Sequence, residues 1–312
     1  MPKKSPTRNE PRLTAKQARA AGWPSGSNDP LRPQQELVSG KWLLSALGIV
    51  LGVAAICAYG TLCLLFYQGS WQFIFHPSRT VRATPDVPFQ EIQFDYTETG
   101  KPQLTGWWIP AEAQGRFGSA TILFLHDGRG SLSDAVLQLQ SLHSIGINVF
   151  ACDYRGFGKS ADLHPSEASM NQDVDAAFEY LTGTRHQPAH SIVIHGVGLG
   201  APVAASAAAR HPETAALILE NISPTASTLF SADARATILP VRILTSDRFN
   251  PIKTLKKLQT PKLFLERGGN APTQDAYSTA TAPKLLFEVA SEDWLKYPEV
   301  IQGFLDEVLS HQ

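Results

Sequence analysis

A run of 25 residues without a charge, Leu43 to Tyr67 (LLSALGIVLGVAAICAYGTLCLLFY), constrains this chain more than any other feature. At about 1.5 Å per residue a helix of that length reaches roughly 37 Å, enough to cross a hydrocarbon core of about 30 Å with some tilt. A buried core helix of such length would be expected to carry a polar face. A cleaved signal peptide would begin with a short charged region, whereas here about 40 residues, mostly polar, precede the run. Neither cysteine in the run, Cys57 or Cys63, has a small residue before it of the kind a lipoprotein site needs; Ile56 and Leu62 stand there. The expectation is one membrane-spanning helix over 42–67, a polar basic tail over 1–41 and a folded domain over 68–312.

The flanks orient the span. Residues 1–41 carry Lys3, Lys4, Arg8, Arg12, Lys16, Arg19, Arg32 and Lys41, whereas only Arg79 and Arg82 follow within comparable reach. The positive-inside bias then places the N-terminus in the cytoplasm and the domain outside it, with Trp42, Tyr67 and Trp71 near the two interfaces. The partner this implies is the lipid bilayer itself, with a lipid or a neighbouring membrane protein as the class of further partner. Lys+Arg 27 against Asp+Glu 28 argues against a general nucleic-acid binder. Beyond the span the only thiol is Cys152, so no internal disulfide or cysteine-built metal site is expected in the domain. No cofactor is expected either.

After Pro77, β-rich runs alternate with amphipathic stretches. Strands are expected at Glu91–Thr97, Leu104–Pro110, Ala120–His126, Asn148–Asp153, Ser191–His195, Ala215–Glu220, Pro261–Glu266 and Lys284–Val289. Helices are expected at Ser133–Ile145, Glu167–Leu181, Ala201–Arg210 and Trp294–Ser310. Near-continuous apolar runs such as TILFL, SIVI and ALILE suit strands covered on both faces. The order predicts an α/β domain with a mostly parallel eight-stranded sheet.

Four stretches bear on chemistry. His126-Asp127-Gly128-Arg129-Gly130 follows a buried strand, where a glycine-bearing turn can present N–H groups as an oxyanion-type turn. Asp153-Tyr154-Arg155-Gly156-Phe157-Gly158-Lys159-Ser160 is followed by Pro165-Ser166-Glu167 and a helix containing Asp173. With Ile74-Phe75-His76-Pro77-Ser78-Arg79, Asp247-Arg248-Phe249, Pro251-Ile252 and Pro261, this segment resembles the α/β-hydrolase superfamily, in its membrane-anchored, serine-aminopeptidase-like branch. The resemblance covers essentially the whole domain and implies the α/β-hydrolase fold, with Asp153 and Arg155 as scaffold.

Set against that resemblance, the triad is missing. The family's strand-ending Gly-x-Ser-x-Gly elbow corresponds to Gly196-Val197-Gly198-Leu199-Gly200, so Gly198 stands at the nucleophile position. Glycine has no nucleophile. Asn270 stands at the acid position, with Asp275 as a nearby substitute. The base position falls in Val289-Ala290-Ser291-Glu292-Asp293-Trp294, around Ser291, and after Gly198 the chain has only His211 and His311. Asp127 stands where the family usually has glycine, and its carboxylate is expected to repel a developing oxyanion. A small concave space is expected above Gly198.

These residues predict a catalytically inactive, membrane-anchored hydrolase-like protein that binds or scaffolds. Two alternatives stay open. One is an active serine-type hydrolase using non-standard groups, drawn from His126, His195, Ser131, Ser223 and Ser291. The other is a nucleotide site, since Gly-Val-Gly-Leu-Gly-Ala with Glu220 downstream imitates a dinucleotide fingerprint, although the spacing is Gly-x-Gly-x-Gly.

Overall fold

The computed structural model describes residues 14–22, 38–231, 238–289 and 296–310. Contacts divide the chain into two units, Met1–Tyr59 and Gly60–Gln312. In the first unit, helix α1 spans Ala15–Ala20 and α2 begins at Gly40. Helix α2 runs through to Gly69, buries none of its residues, and is long and apolar enough to cross a membrane.

The second unit adds a short helix α3 (Trp71–Ile74) and a two-residue strand β1 (His76–Pro77). Three strands follow, β2 (Gln90–Tyr96), β3 (Pro102–Ile109) and β4 (Phe117–Leu125), then β5 (Arg129–Gly130), which pairs with β1. Helix α4 (Val136–Ser144), β6 (Ile147–Asp153), α5 (Glu167–Glu179), β7 (Ile192–Val197), α6 (Gly200–Arg210) and β8 (Ala216–Glu220) form the centre. Short helices α7 (Ala226–Ser231), α8 (Val241–Leu244) and α9 (Ile252–Leu255) lead to β9 (Lys262–Arg267). Helix α10 (Ala271–Thr279), β10 (Lys284–Val289) and α11 (Lys296–Leu309) complete the described chain.

The main sheet has eight strands in the order β10-β9-β8-β7-β4-β6-β3-β2. β3 runs antiparallel to both its neighbours, β2 and β6, and the remaining pairs are parallel. The apolar runs explain this arrangement: every residue of β6 and β8 is buried, because helices cover both faces. One core lies against α5 and α6, with Met170, Val174 and Val203 packed on Leu123, Ile194 and Leu219. The other lies against α4 and α11, with Leu139, Ile301 and Leu305 packed on Ile122, Val193 and Ile218. Alanines along α6 let that helix settle closely on the sheet.

The expected elements recur with shifted ends; of the predicted Trp294–Ser310 helix, Lys296–Leu309 is seen as α11, and Trp294 and Leu295 lie outside the described residues. The predicted Ser133–Ile145 helix opens as a 3₁₀ turn over Leu132–Asp134, with Asp134 accepting the Ser131 N–H at 2.9 Å. The predicted Glu167–Leu181 helix ends at Glu179 in a π-helical turn, Tyr180–Thr184. Helix α10 was not anticipated, although Asn270 before a Pro272-Thr273 pair carries an N-cap signal.

Candidate functional site

β7 delivers the chain to the elbow. Gly198 follows the strand with φ +59°, and its N–H donates to the Glu220 carbonyl at 2.9 Å on neighbouring β8. Its own carbonyl accepts from Ser223 N at 3.2 Å and Ala201 N at 3.3 Å. The flanking glycines are required by close backbone approach. A Cβ on Gly196 would lie 2.4 Å from the Gly200 carbonyl oxygen, and one on Gly200 would lie 2.4 Å from that of Leu125. Between them Val197 is half-buried and Leu199 is buried.

The expected open space above Gly198 is filled. The Asp127 Oδ1 atom accepts the Leu199 N–H at 2.8 Å, and a Cβ on Gly198 would stand 2.1 Å from that oxygen and 2.4 Å from Cγ. In a hydrolase elbow the N–H after the nucleophile is an oxyanion-hole donor. Here a carboxylate of the chain itself holds it. Asp127 thus does more than place a charge nearby: its carboxylate accepts from the N–H of the elbow and fills the space beside Gly198.

Neighbouring groups hold this turn in place. Leu199 lies over Gly128, where a Cβ would come within 2.2 Å of Cδ1. His126 is buried, and its Nδ1–H donates to the Asp127 carbonyl at 2.6 Å. Its Nε2 is 3.6 Å from Asp153 Oδ1, while Tyr154 donates its hydroxyl to the His126 carbonyl at 3.1 Å. Burial lowers the His126 pKa against the pull of Asp153, and burial raises that of Asp153. His126 is a buried brace for the turn.

The other anticipated site residues are engaged elsewhere or lie apart. Asn270 caps α10, its Oδ1 accepting from Thr273 N at 2.9 Å and from the Thr273 hydroxyl at 2.8 Å. Thr273 Oγ1 in turn accepts from Ile222 N at 2.9 Å. Asp275 is exposed on α10. Ser291 and His311 lie outside the described residues. His211 stacks on Phe178 at 3.9 Å and pairs with Asp175 at 3.4 Å. Ser131 pairs its hydroxyl with that of Ser133 at 2.7 Å.

His195, expected near the rim, is fully buried inside β7. The reason is a polar cluster that was not anticipated. Glu220 at the end of β8 accepts from His195 Nε2 at 3.1 Å and the Tyr297 hydroxyl at 3.0 Å on one oxygen. Its other oxygen accepts from Gln138 Nε2 at 3.0 Å and from Arg267. Burial pushes the Glu220 carboxyl up, but His195, Arg267 and Tyr297 outweigh it and hold the pKa below its ordinary value. Glu220, offered above as the acid of a nucleotide fingerprint, is thus internally satisfied. Charged or ring-bearing residues at or near the ends of three adjacent strands (His195, Glu220, Arg267) were the available signal. Among the described residues no group of three His, Cys, Asp or Glu is placed to hold a metal ion.

Known proteins agree with this architecture. The serine aminopeptidase S33 family pattern matches residues 119–237. An alpha-beta hydrolase from Vibrio vulnificus superposes with a TM-score of 0.54 at 24% identity, over 72% of this chain and 81% of that one. The chain has the α/β-hydrolase fold. An uncharacterized protein of Mycobacterium tuberculosis is 28% identical over 245 residues, 78% of this chain and 83% of its own. Protein bem46 of Schizosaccharomyces pombe is 35% identical over 103 residues, 32% of this chain and 34% of that relative. Placed in this fold, the elbow lies at the C-terminal end of a central strand, the usual position of the catalytic serine.

Proposed function

We propose that this chain is a membrane-anchored α/β-hydrolase-fold protein without serine-hydrolase activity, in which the hydrolase body serves binding or scaffolding at the membrane. One observation carries the proposal: the Asp127 carboxylate takes the Leu199 N–H and occupies the space a side chain on Gly198 would need. No acyl-enzyme can form at Gly198, and the donor that would steady its tetrahedral intermediate is already satisfied. The missing base supports the same conclusion, since no histidine lies between His211 and His311.

The full chain in detergent is expected to stay unlabelled by a fluorophosphonate probe and to leave short and long acyl esters unhydrolysed above background. A labelled, mapped serine with turnover would replace this proposal with an unconventional hydrolase.

The anchor is α2, with the N-terminal tail cytoplasmic and the domain on the other side of the bilayer. A reporter fused after Gln312 is expected to behave as extracytoplasmic. Cytoplasmic reporter activity would overturn the orientation drawn from the basic residues of the tail. The partner class proposed is a lipid or a second membrane protein.

A further inference from the structure

We propose that β10 is the surface through which two copies of this chain associate, each β10 pairing antiparallel with the other about a two-fold axis at Leu286. The strand closes one edge of the main sheet and, among the described residues, pairs only with β9. Such an edge is a ready template for another strand unless charges, bulges or a cover protect it. β10 carries Lys284 and Glu288, and between these two charges it exposes Leu285 at 48% and Phe287 at 42% on one face.

The sequence of the strand, Lys284-Leu285-Leu286-Phe287-Glu288, complements itself when reversed. With Leu286 on the axis, Lys284 opposes the partner's Glu288, and Leu285 opposes the partner's Phe287. Residues alternate between faces along a strand. One face therefore places Leu286 against its counterpart between two opposite-charge pairs, and the other joins two Leu–Phe pairs. The opposite-charge pairs are favourable cross-strand combinations, and the Leu–Leu and Leu–Phe pairs remove apolar surface from water. Lys284 Nζ donates to the Tyr277 carbonyl at 2.6 Å and the Ser278 carbonyl at 3.4 Å, which leaves one of its three N–H groups for a carboxylate. Glu288 is exposed.

Shape supports the same partner. A groove of about 600 Å³ opens beside the strand, lined on its apolar side by Leu285, Pro283, Phe304 and Val308. The partner's Phe287, opposite Leu285, stands at that groove. Because the contact is isologous, it closes as a dimer and does not extend into a filament.

The test is the mass of the full chain in detergent, measured by light scattering across micromolar concentrations. Wild type is expected to dimerise, and Glu288→Lys to weaken the dimer about tenfold by placing lysine opposite lysine twice. Lys284→Glu combined with Glu288→Lys restores opposite charges and is expected to bring the dimer back to within about threefold of wild type. If loss of the Lys284 contacts unfolds that double variant, Phe287→Lys, alone and with Leu285→Glu, reads the same register. A monomeric wild type overturns the proposal. So does a dimer indifferent to Glu288→Lys, the result expected if Gly48 and Gly52 of α2 brought two spans together. A folded charge-swapped variant that stays monomeric overturns it too.

Discussion

Gly198→Ser is expected to destabilise the domain by about 2–5 kcal/mol and to produce no esterase. Two separate costs add. A non-glycine residue at φ +59° is held in the left-handed region, at about 1–2 kcal/mol. Its Cβ also meets the Asp127 carboxylate at 2.1 Å, so that side chain must swing away and surrender the Leu199 N–H. Leaving that pair unmade costs about 1–3 kcal/mol. The two positions should therefore be coupled. In a double-mutant cycle with Asp127→Gly, the serine is expected to be better tolerated by about 1–2 kcal/mol than in wild type. The comparison is made by denaturant titration of all four variants. A Gly198→Ser protein as stable as wild type, or strictly additive effects, would mean that Asp127 does not occupy this space. Neither serine variant is expected to turn over esters, because the sequence has no histidine between His211 and His311, where the base would fall.

Much of this site was legible in the residues alone, and the part that was not has a physical reason. Gly196, Gly198 and Gly200 mark a tight elbow because local spacing and the absence of Cβ atoms are written in the sequence. The strands β4, β6, β7 and β8 are likewise visible as apolar runs, because burial on both faces removes polar alternation. The direction of the Asp127 side chain is different. Its partner, Leu199, is 72 residues away, and only the parallel pairing of β4 with β7 brings the two turns together. A local rule can say that a carboxylate stands in the turn after β4, but not that it accepts the Leu199 N–H. The same holds for His195. Alone it is a histidine two residues before the end of its strand; sheet register sets it opposite Ile218, with Glu220 two residues further along. Asn270 shows a third kind of limit. Its place after β9 suggested an acid position by resemblance, while its chemistry, a short amide ahead of proline and threonine, is that of the helix cap it forms.

The buried Glu220 cluster should dominate the acid stability of the domain, and Glu220→Gln is the variant that isolates it. The carboxylate is about 1% exposed and receives His195, Tyr297, Gln138 and Arg267 together. Replacing it leaves the Arg267 guanidinium, whose side chain is 19% exposed, beside a neutral amide. Breaking a buried pair on one side in this way typically costs about 3–5 kcal/mol. The dependence on pH follows from the direction of the shift. Glu220 has a folded pKa below its ordinary value, so its contribution is present above the unfolded carboxylate range. It is lost as pH falls through the lower, folded value. The stability gap between wild type and Glu220→Gln should therefore be widest near pH 7 and shrink on acidification, as the wild-type carboxyl takes up its own proton. Denaturant titrations from pH 7 down to the acid transition measure this, and a gap that stays constant would show that the charge of Glu220 is not what the cluster uses. The consequence reaches the elbow as well, because Gly198 N–H donates to the Glu220 carbonyl at 2.9 Å. Amide hydrogen exchange at Gly198 should accelerate in the variant, since the peptide that accepts its bond is positioned by a side chain whose partners are now mismatched. Unchanged protection there would place the anchoring of the elbow in β8 itself and leave the cluster as a support of the sheet alone.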